Sequence, residues 1–132
     1  MNTPPRIESI SAITLATHDM ARAVGFYCAL GFDLSYGGAD SAFTSFHVGS
    51  SHLNLMAAPM DQTWGEWGRF ILYVSDVDAM YENALAKGLR PEFAPSNAPW
   101  GERYFHIKDP DGHELSLAKP LASSINPKNF IE

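Results

Sequence analysis

The chain switches between two hydrophobic periods, and the switching occurs twice. Positions 10–17 alternate as a strand does, with Ile13 and Leu15 on one side and Ala12, Thr14 and Ala16 on the other. The period then becomes helical, and Met20, Ala23, Val24, Tyr27 and Leu30 form a single stripe despite Gly25 among them. Asp19 stands before the stripe as an N-cap, and Gly31 follows it. Three short strand-like runs come next, at about 32–36, 43–48 and 52–56, parted by Gly37-Gly38 and Gly49-Ser50.

The second half repeats this order. A strand at 68–74 precedes a stripe of Val77, Met80, Tyr81, Ala84 and Leu85, with Asp76 before it and Lys87 and Gly88 at its end. Three more runs follow at about 90–94, 103–108 and 114–118. Ala12 falls on Arg69, Asp19 on Asp76 and Gly31 on Gly88, each 57 positions on. The expected organisation is one domain of two βαβββ modules, at about 8–57 and 68–119. A linker at 58–67 joins them, and a tail at 120–132 follows.

Turn chemistry fixes the last hairpin. Asp109-Pro110-Asp111-Gly112 suits a type I turn with a glycine bulge, which pairs Asp109 with His113. Lys108 is then opposite Glu114, His106 opposite Ser116 and Tyr104 opposite Ala118, while Phe105 and Ile107 pack beside Leu117 and Leu115. The same alternation sends His52, Asn54 and Met56, and Arg69, Ile71 and Tyr73, to the face away from the helices. Glu114, Ser116 and Ala118 go there too; the side taken by His47 is open.

Composition narrows the partners. Of 132 residues 45% are apolar and only 18% charged, against about 25% charged in an average soluble protein. The shortfall points to surface covered in a homodimer. A net charge of −6 with no basic run argues against nucleic acid and is compatible with a cationic small molecule. The first six residues lack an apolar core and the apolar runs are too short to span a bilayer. The expectation is therefore no signal peptide, no membrane partner and a cytoplasmic location. The single Cys28 excludes an intramolecular disulfide and reads as a small buried hydrophobe.

Two phrases carry a family resemblance. One is Ile13-Thr14-Leu15-x-Thr17-x-Asp19-Met20-Ala21-Arg22-x-Val24-x-Phe26-Tyr27-x-x-Leu30-Gly31-Phe32. The other is Trp100-Gly101-x-Arg103-x-Phe105-x-x-x-Asp109-Pro110-Asp111-Gly112-His113-Glu114-Leu115. At repeat spacing they resemble the vicinal oxygen chelate superfamily of glyoxalases, bleomycin-resistance proteins and ring-cleaving dioxygenases. The resemblance implies an α+β fold, an eight-stranded open cup with outer helices, and ligands bound inside the cup, often beside a dimer interface. Metal-dependent members carry one ligand on each of four strands. Those places fall here on Ala12, Asn54, Arg69 and Ser116, a set without metal-binding character, so no cofactor is expected. A displaced set of His52, His106 and Glu114 is the alternative.

The candidate ligand-binding residues are His52, Asn54, Arg69, Tyr73, Trp100, Tyr104, His106, Glu114 and Ser116. Arg69 either pairs internally with Glu114 or meets a ligand anion. His106 is the candidate catalytic group, as a general base or ligand donor, or else an imidazole satisfied by its neighbours. Trp64, Trp67 and Trp100 are read as ligand walls or as dimer contacts. Asp109 and Asp111 are read as turn formers, His18 as a solvated helix-start residue and His113 as structural. Two functions fit: a metal-free module that sequesters a small organic molecule, or a lyase, isomerase or dioxygenase using a rearranged metal site or His106.

Overall fold

A computed structural model describes residues 4–122; the start of the leader reading and most of the predicted tail lie outside them. The elements run β1 (Ala12–Thr17), α1 (Met20–Leu30), β2 (Asp33–Tyr36), β3 (Phe43–Val48), β4 (Ser51–Ala57), β5 (Arg69–Tyr73), α2 (Val77–Ala86), β6 (Ser96–Asn97), β7 (Glu102–Lys108) and β8 (Glu114–Pro120). They form two four-stranded sheets ordered β1-β4-β3-β2 and β5-β8-β7-β6. In each sheet the strand before the helix runs parallel to the last strand of its module, and the remaining pairs are antiparallel. This is the expected pair of βαβββ modules.

Both helices start as their caps dictate. Asp19 Oδ1 accepts from the Arg22 amide and Asp76 Oδ1 from the Ala79 amide, each at 3.0 Å. Gly31 ends α1 at φ +113°, where a side chain would be strained, and its amide bonds the Cys28 carbonyl. Gly25 lies in mid-helix with open space where a Cβ would go. Gly25→Ala should therefore raise stability by about 0.5–1 kcal/mol, read by chemical denaturation. Cys28 is exposed, which corrects the buried reading. It sits one residue past Tyr27, beyond the edge of the stripe that packs inward.

One core joins both modules. Phe46, Leu53 and Leu55 of the first sheet and Phe105, Ile107, Leu115 and Leu117 of the second cluster with Tyr27, Val77 and Ala84 from the helices. Each fully buried large side chain contributes about 1.5–3 kcal/mol. The β7–β8 turn then clamps the modules through polar contacts. Asp109 Oδ1 accepts from the Asp111 and His113 amides, and its Oδ2 accepts from the buried Tyr27 hydroxyl at 2.6 Å. Asp111 accepts from the Thr17 hydroxyl, the His18 amide and the Arg22 guanidinium. The two aspartates form the turn as expected and also lock it to α1.

His18 departs from its reading as a solvated residue. Its ring stacks on Trp64 at 4.4 Å, and Nε2 lies 2.7 Å from the Gln62 carbonyl. Trp64 also stacks on His113 and donates to the Asp111 carbonyl, so it fastens the linker to the turn. His113 is 4% exposed and structural, with Nδ1 accepting from Trp67 Nε1 and Nε2 on the Ala16 carbonyl. The strand expected at 90–94 is not formed; β6 is a two-residue strand further on. Pro91, Pro95 and Pro99 cannot donate to a ladder, and the 90–94 stretch contributes the Glu92 amide bond to the His106 carbonyl instead.

Candidate functional site

The helix-free face of the second sheet gathers most of the predicted residues. The hairpin register is as expected: Lys108 lies opposite Glu114, His106 opposite Ser116 and Tyr104 opposite Ala118. β5 adds Arg69 beside Glu114, Ile71 beside Ser116 and Tyr73 beside Ala118. Arg69 Nε lies 2.7 Å from Glu114 Oε1, and His106 Nδ1 lies 3.9 Å from the same oxygen. Ile71 and Tyr73 remain open to solvent. Ser116 and Ala118, expected to line the cup openly, belong to this face but are fully buried. Ser116 Oγ has no hydrogen-bond partner among the described residues.

A chain of rings walls the site. Trp100 meets Tyr104 at 5.5 Å, Tyr104 meets His106 at 5.1 Å, and Phe93 touches both Tyr104 and His106 at 5.4 and 5.1 Å. Trp100 is anchored by its Nε1, which donates to the buried Glu102. Beyond Glu114 a polar cleft of about 480 Å³ opens between Trp67, Arg69 and Lys108.

The charges on this face are tuned by one another. Burial pushes the Glu92 carboxyl up, and its hydrogen bond to Glu114 and the charge of Glu114 push it further. Burial also acts upward on Glu114, but the hydrogen bonds from Glu92 and Arg69, together with the charges of Arg69 and His106, hold its carboxyl below the usual value. Burial and the Arg69 charge lower His106, against the weaker pull of Glu114. The imidazole is thus held towards its neutral form, Glu92 towards its acid form, and Glu114 as the carboxylate.

Arg69 is paired with Glu114 in this structure. Because the pair is partly exposed, at 36% and 17% for the two side chains, Arg69→Ala should cost less than about 1 kcal/mol. The Glu114 carboxyl should rise, however. With its pKa lowered in the fold, Glu114 contributes stability above the usual carboxylate range that is lost as pH falls through its folded value. Arg69→Ala should therefore shrink this acid-side loss, measurable as a flatter melting-temperature profile between about pH 3 and pH 5. An unchanged profile would contradict the pairing.

The first sheet holds the other two candidates. His52 lies opposite His47, so both share the helix-free face, with ring centres 5.3 Å apart. His52 also borders a small apolar groove with Ile13, Phe70 and Ile71. Asn54 donates to Thr14 Oγ1 at 3.2 Å. The four positions implied as metal ligands do not fit a divalent cation. Ala12 has no donor, Asn54 is turned to Thr14, Arg69 is a cation already paired to Glu114, and Ser116 Oγ is a neutral hydroxyl. The displaced set is corrected as well. Glu92, not His52, stands with His106 and Glu114, and their ligand atoms lie within 4.8 Å of one another.

Sequence reasoning passed over Glu92 and Phe93. The available signal was the repeat, which sets Phe93 on the aromatic Tyr36 of the first module. Trp64 proves a linker fastener, and Trp67 alone of the two linker tryptophans borders the polar cleft.

Comparison with known proteins places this geometry. An uncharacterized protein of Mycobacterium bovis is 42% identical over 50 residues, 38% of this chain, which spans only about a third (33%) of that relative's length. A Nocardioides glyoxalase/bleomycin resistance protein/dioxygenase superposes with TM-score 0.69 at 25% identity, covering 92% of this chain and 88% of that one. A bleomycin-binding protein solved with bleomycin gives 0.68 at 23% identity, over 86% and 98%. A lactoylglutathione lyase from Agrobacterium tumefaciens gives 0.67 at 22%, over 89% and 96%. The family model of the Glyoxalase/Bleomycin resistance protein/Dioxygenase superfamily matches residues 9–117. Two modules, a helix-free face lined with polar and aromatic groups and a match along nearly the whole chain together make this protein a member of that superfamily.

Proposed function

We propose that this protein binds a small organic molecule on the helix-free face of the second sheet, with no cation at the superfamily's four ligand positions. The observation that carries this reading is the pairing of an aromatic wall with a neutralised polar floor. Phe93, Tyr104 and Trp100 offer ring surface, while Arg69 and Glu114 compensate each other at the third ligand position. A bleomycin-binding neighbour gives the reading a precedent in the fold.

The ligand face is closed by a second copy of the chain. Tyr36, Phe43 and Met56 on the first sheet and Ile71 and Tyr73 on the second expose apolar surface that water would otherwise wet. No described helix is long and apolar enough to cross a membrane.

The second reading, a lyase, isomerase or dioxygenase, is favoured by one arrangement. A carboxyl held towards its acid form lies beside a carboxylate and a neutral imidazole, and such a set can pass a proton.

Thermal-shift screening of chelator-treated protein against small aromatic, cationic and anionic compounds tests the binding reading. Compounds that raise the melting temperature in the presence of chelator, and no longer do so with Tyr104→Ala, are the expected result. Shifts that vanish whenever chelator is present would overturn it.

A further inference from the structure

We propose that Glu92, His106 and Glu114 form a site for one divalent first-row transition ion, separate from the superfamily's four ligand positions. The inference stands apart from the organic-ligand reading, since it concerns the ion alone. Three different elements deliver the donors: the loop before β6 gives Glu92, β7 gives His106 and β8 gives Glu114. Their donor atoms all lie within 4.8 Å of one another. An ion about 2.1 Å from each donor requires separations of at most about 4.2 Å, so the widest pair must close by about 0.6 Å or less, a movement within the reach of side-chain rotation.

Two further features suit an ion. Ser116 is cross-strand from His106 on the same face, and its hydroxyl is fully buried with no partner among the described residues. Such a hydroxyl calls for something to bond, and an oxygen of the ion's coordination shell would serve. Arg69 holds Glu114 through Oε1 and fixes the carboxylate's direction, and the ion would take the place of the proton that Glu92 and Glu114 share in their hydrogen bond. One nitrogen and two carboxylate oxygens favour zinc, nickel, cobalt or manganese over magnesium or calcium, which take oxygen ligands throughout.

Titration of chelator-stripped protein with Co²⁺, followed by visible absorption, and with Zn²⁺, followed by calorimetry, decides the matter. One equivalent should bind the wild type, and Glu92→Gln and His106→Gln should each weaken it about tenfold or more. Glu92 is exposed, so its variant should retain the wild-type fold, checked by circular dichroism. His47→Ala is the control, because His47 and His52 form a close imidazole pair elsewhere on the helix-free face. It should leave the affinity unchanged. Absence of binding at millimolar ion would overturn the site. So would a loss of binding with His47→Ala but not with Glu92→Gln.

Discussion

Asp109→Ala is expected to destabilise the protein by about 3–5 kcal/mol, among the largest effects of any polar substitution in it. The carboxylate is 5% exposed and bonds three groups. Truncation leaves the Tyr27 hydroxyl and the His113 amide buried without a partner, and opens the turn that also presents Asp111 to α1. Tyr27→Phe removes one donor to a charged group and should cost about 1.5–3 kcal/mol. Asp109→Asn is the informative contrast. Its Oδ1 can still accept both amides and its amide can donate to the Tyr27 oxygen, so the clamp survives at a cost of about 1 kcal/mol or less.

The pH profile then separates charge from hydrogen bonding. Burial raises the Asp109 carboxyl above its ordinary 3.8, although Tyr27 and the turn amides pull the other way. A group raised in the fold contributes stability below its unfolded pKa, and loses it as pH rises through the folded value. Asp109→Asn should therefore gain on the wild type as pH rises from about 4 to about 7. Parallel melting-temperature curves for the two proteins across that range would refute the burial argument.

How much of this the sequence showed depends on the range of the interaction. The turn Asp109-Pro110-Asp111-Gly112 set the β7–β8 register to the residue, because a bulged turn leaves one pairing that keeps Phe105, Ile107, Leu115 and Leu117 on one side. Helix caps at Asp19 and Asp76 were equally legible, being contacts across three residues. The partner of Tyr27 was not. Its hydroxyl reaches 82 positions along the chain to Asp109, and nothing local marks such a bond. His18 failed for the same reason, since the groups that hold it come from the linker and the far turn. At the candidate site, alternation placed Arg69, His106 and Glu114 together correctly. Glu92 and Phe93 were missed because they enter the site from a proline-interrupted segment, where the period-two rule gives no face.

Two phenylalanines a dozen residues apart are expected to behave oppositely, and the contrast tests whether the aromatic wall serves the fold or a ligand. Phe105 is fully buried and meets Tyr81 edge-on at 5.5 Å. Phe105→Ala leaves a cavity between α2 and the second sheet and should cost about 3–5 kcal/mol. Phe93 is 36% exposed and touches mainly Tyr104 and His106. Its removal frees surface that water can reach, so Phe93→Ala should cost about 1 kcal/mol or less. If the wall were only packing, that small loss would be the whole effect. If it holds the organic ligand, Phe93→Ala should also erase most of the ligand-induced thermal shift, because base-like or aromatic stacking is lost with the ring. Urea denaturation of both variants, followed by the ligand screen on Phe93→Ala, separates the cases. A Phe93 variant that is as destabilised as Phe105→Ala, or that still binds every wild-type ligand, would return the wall to the core and remove its functional reading.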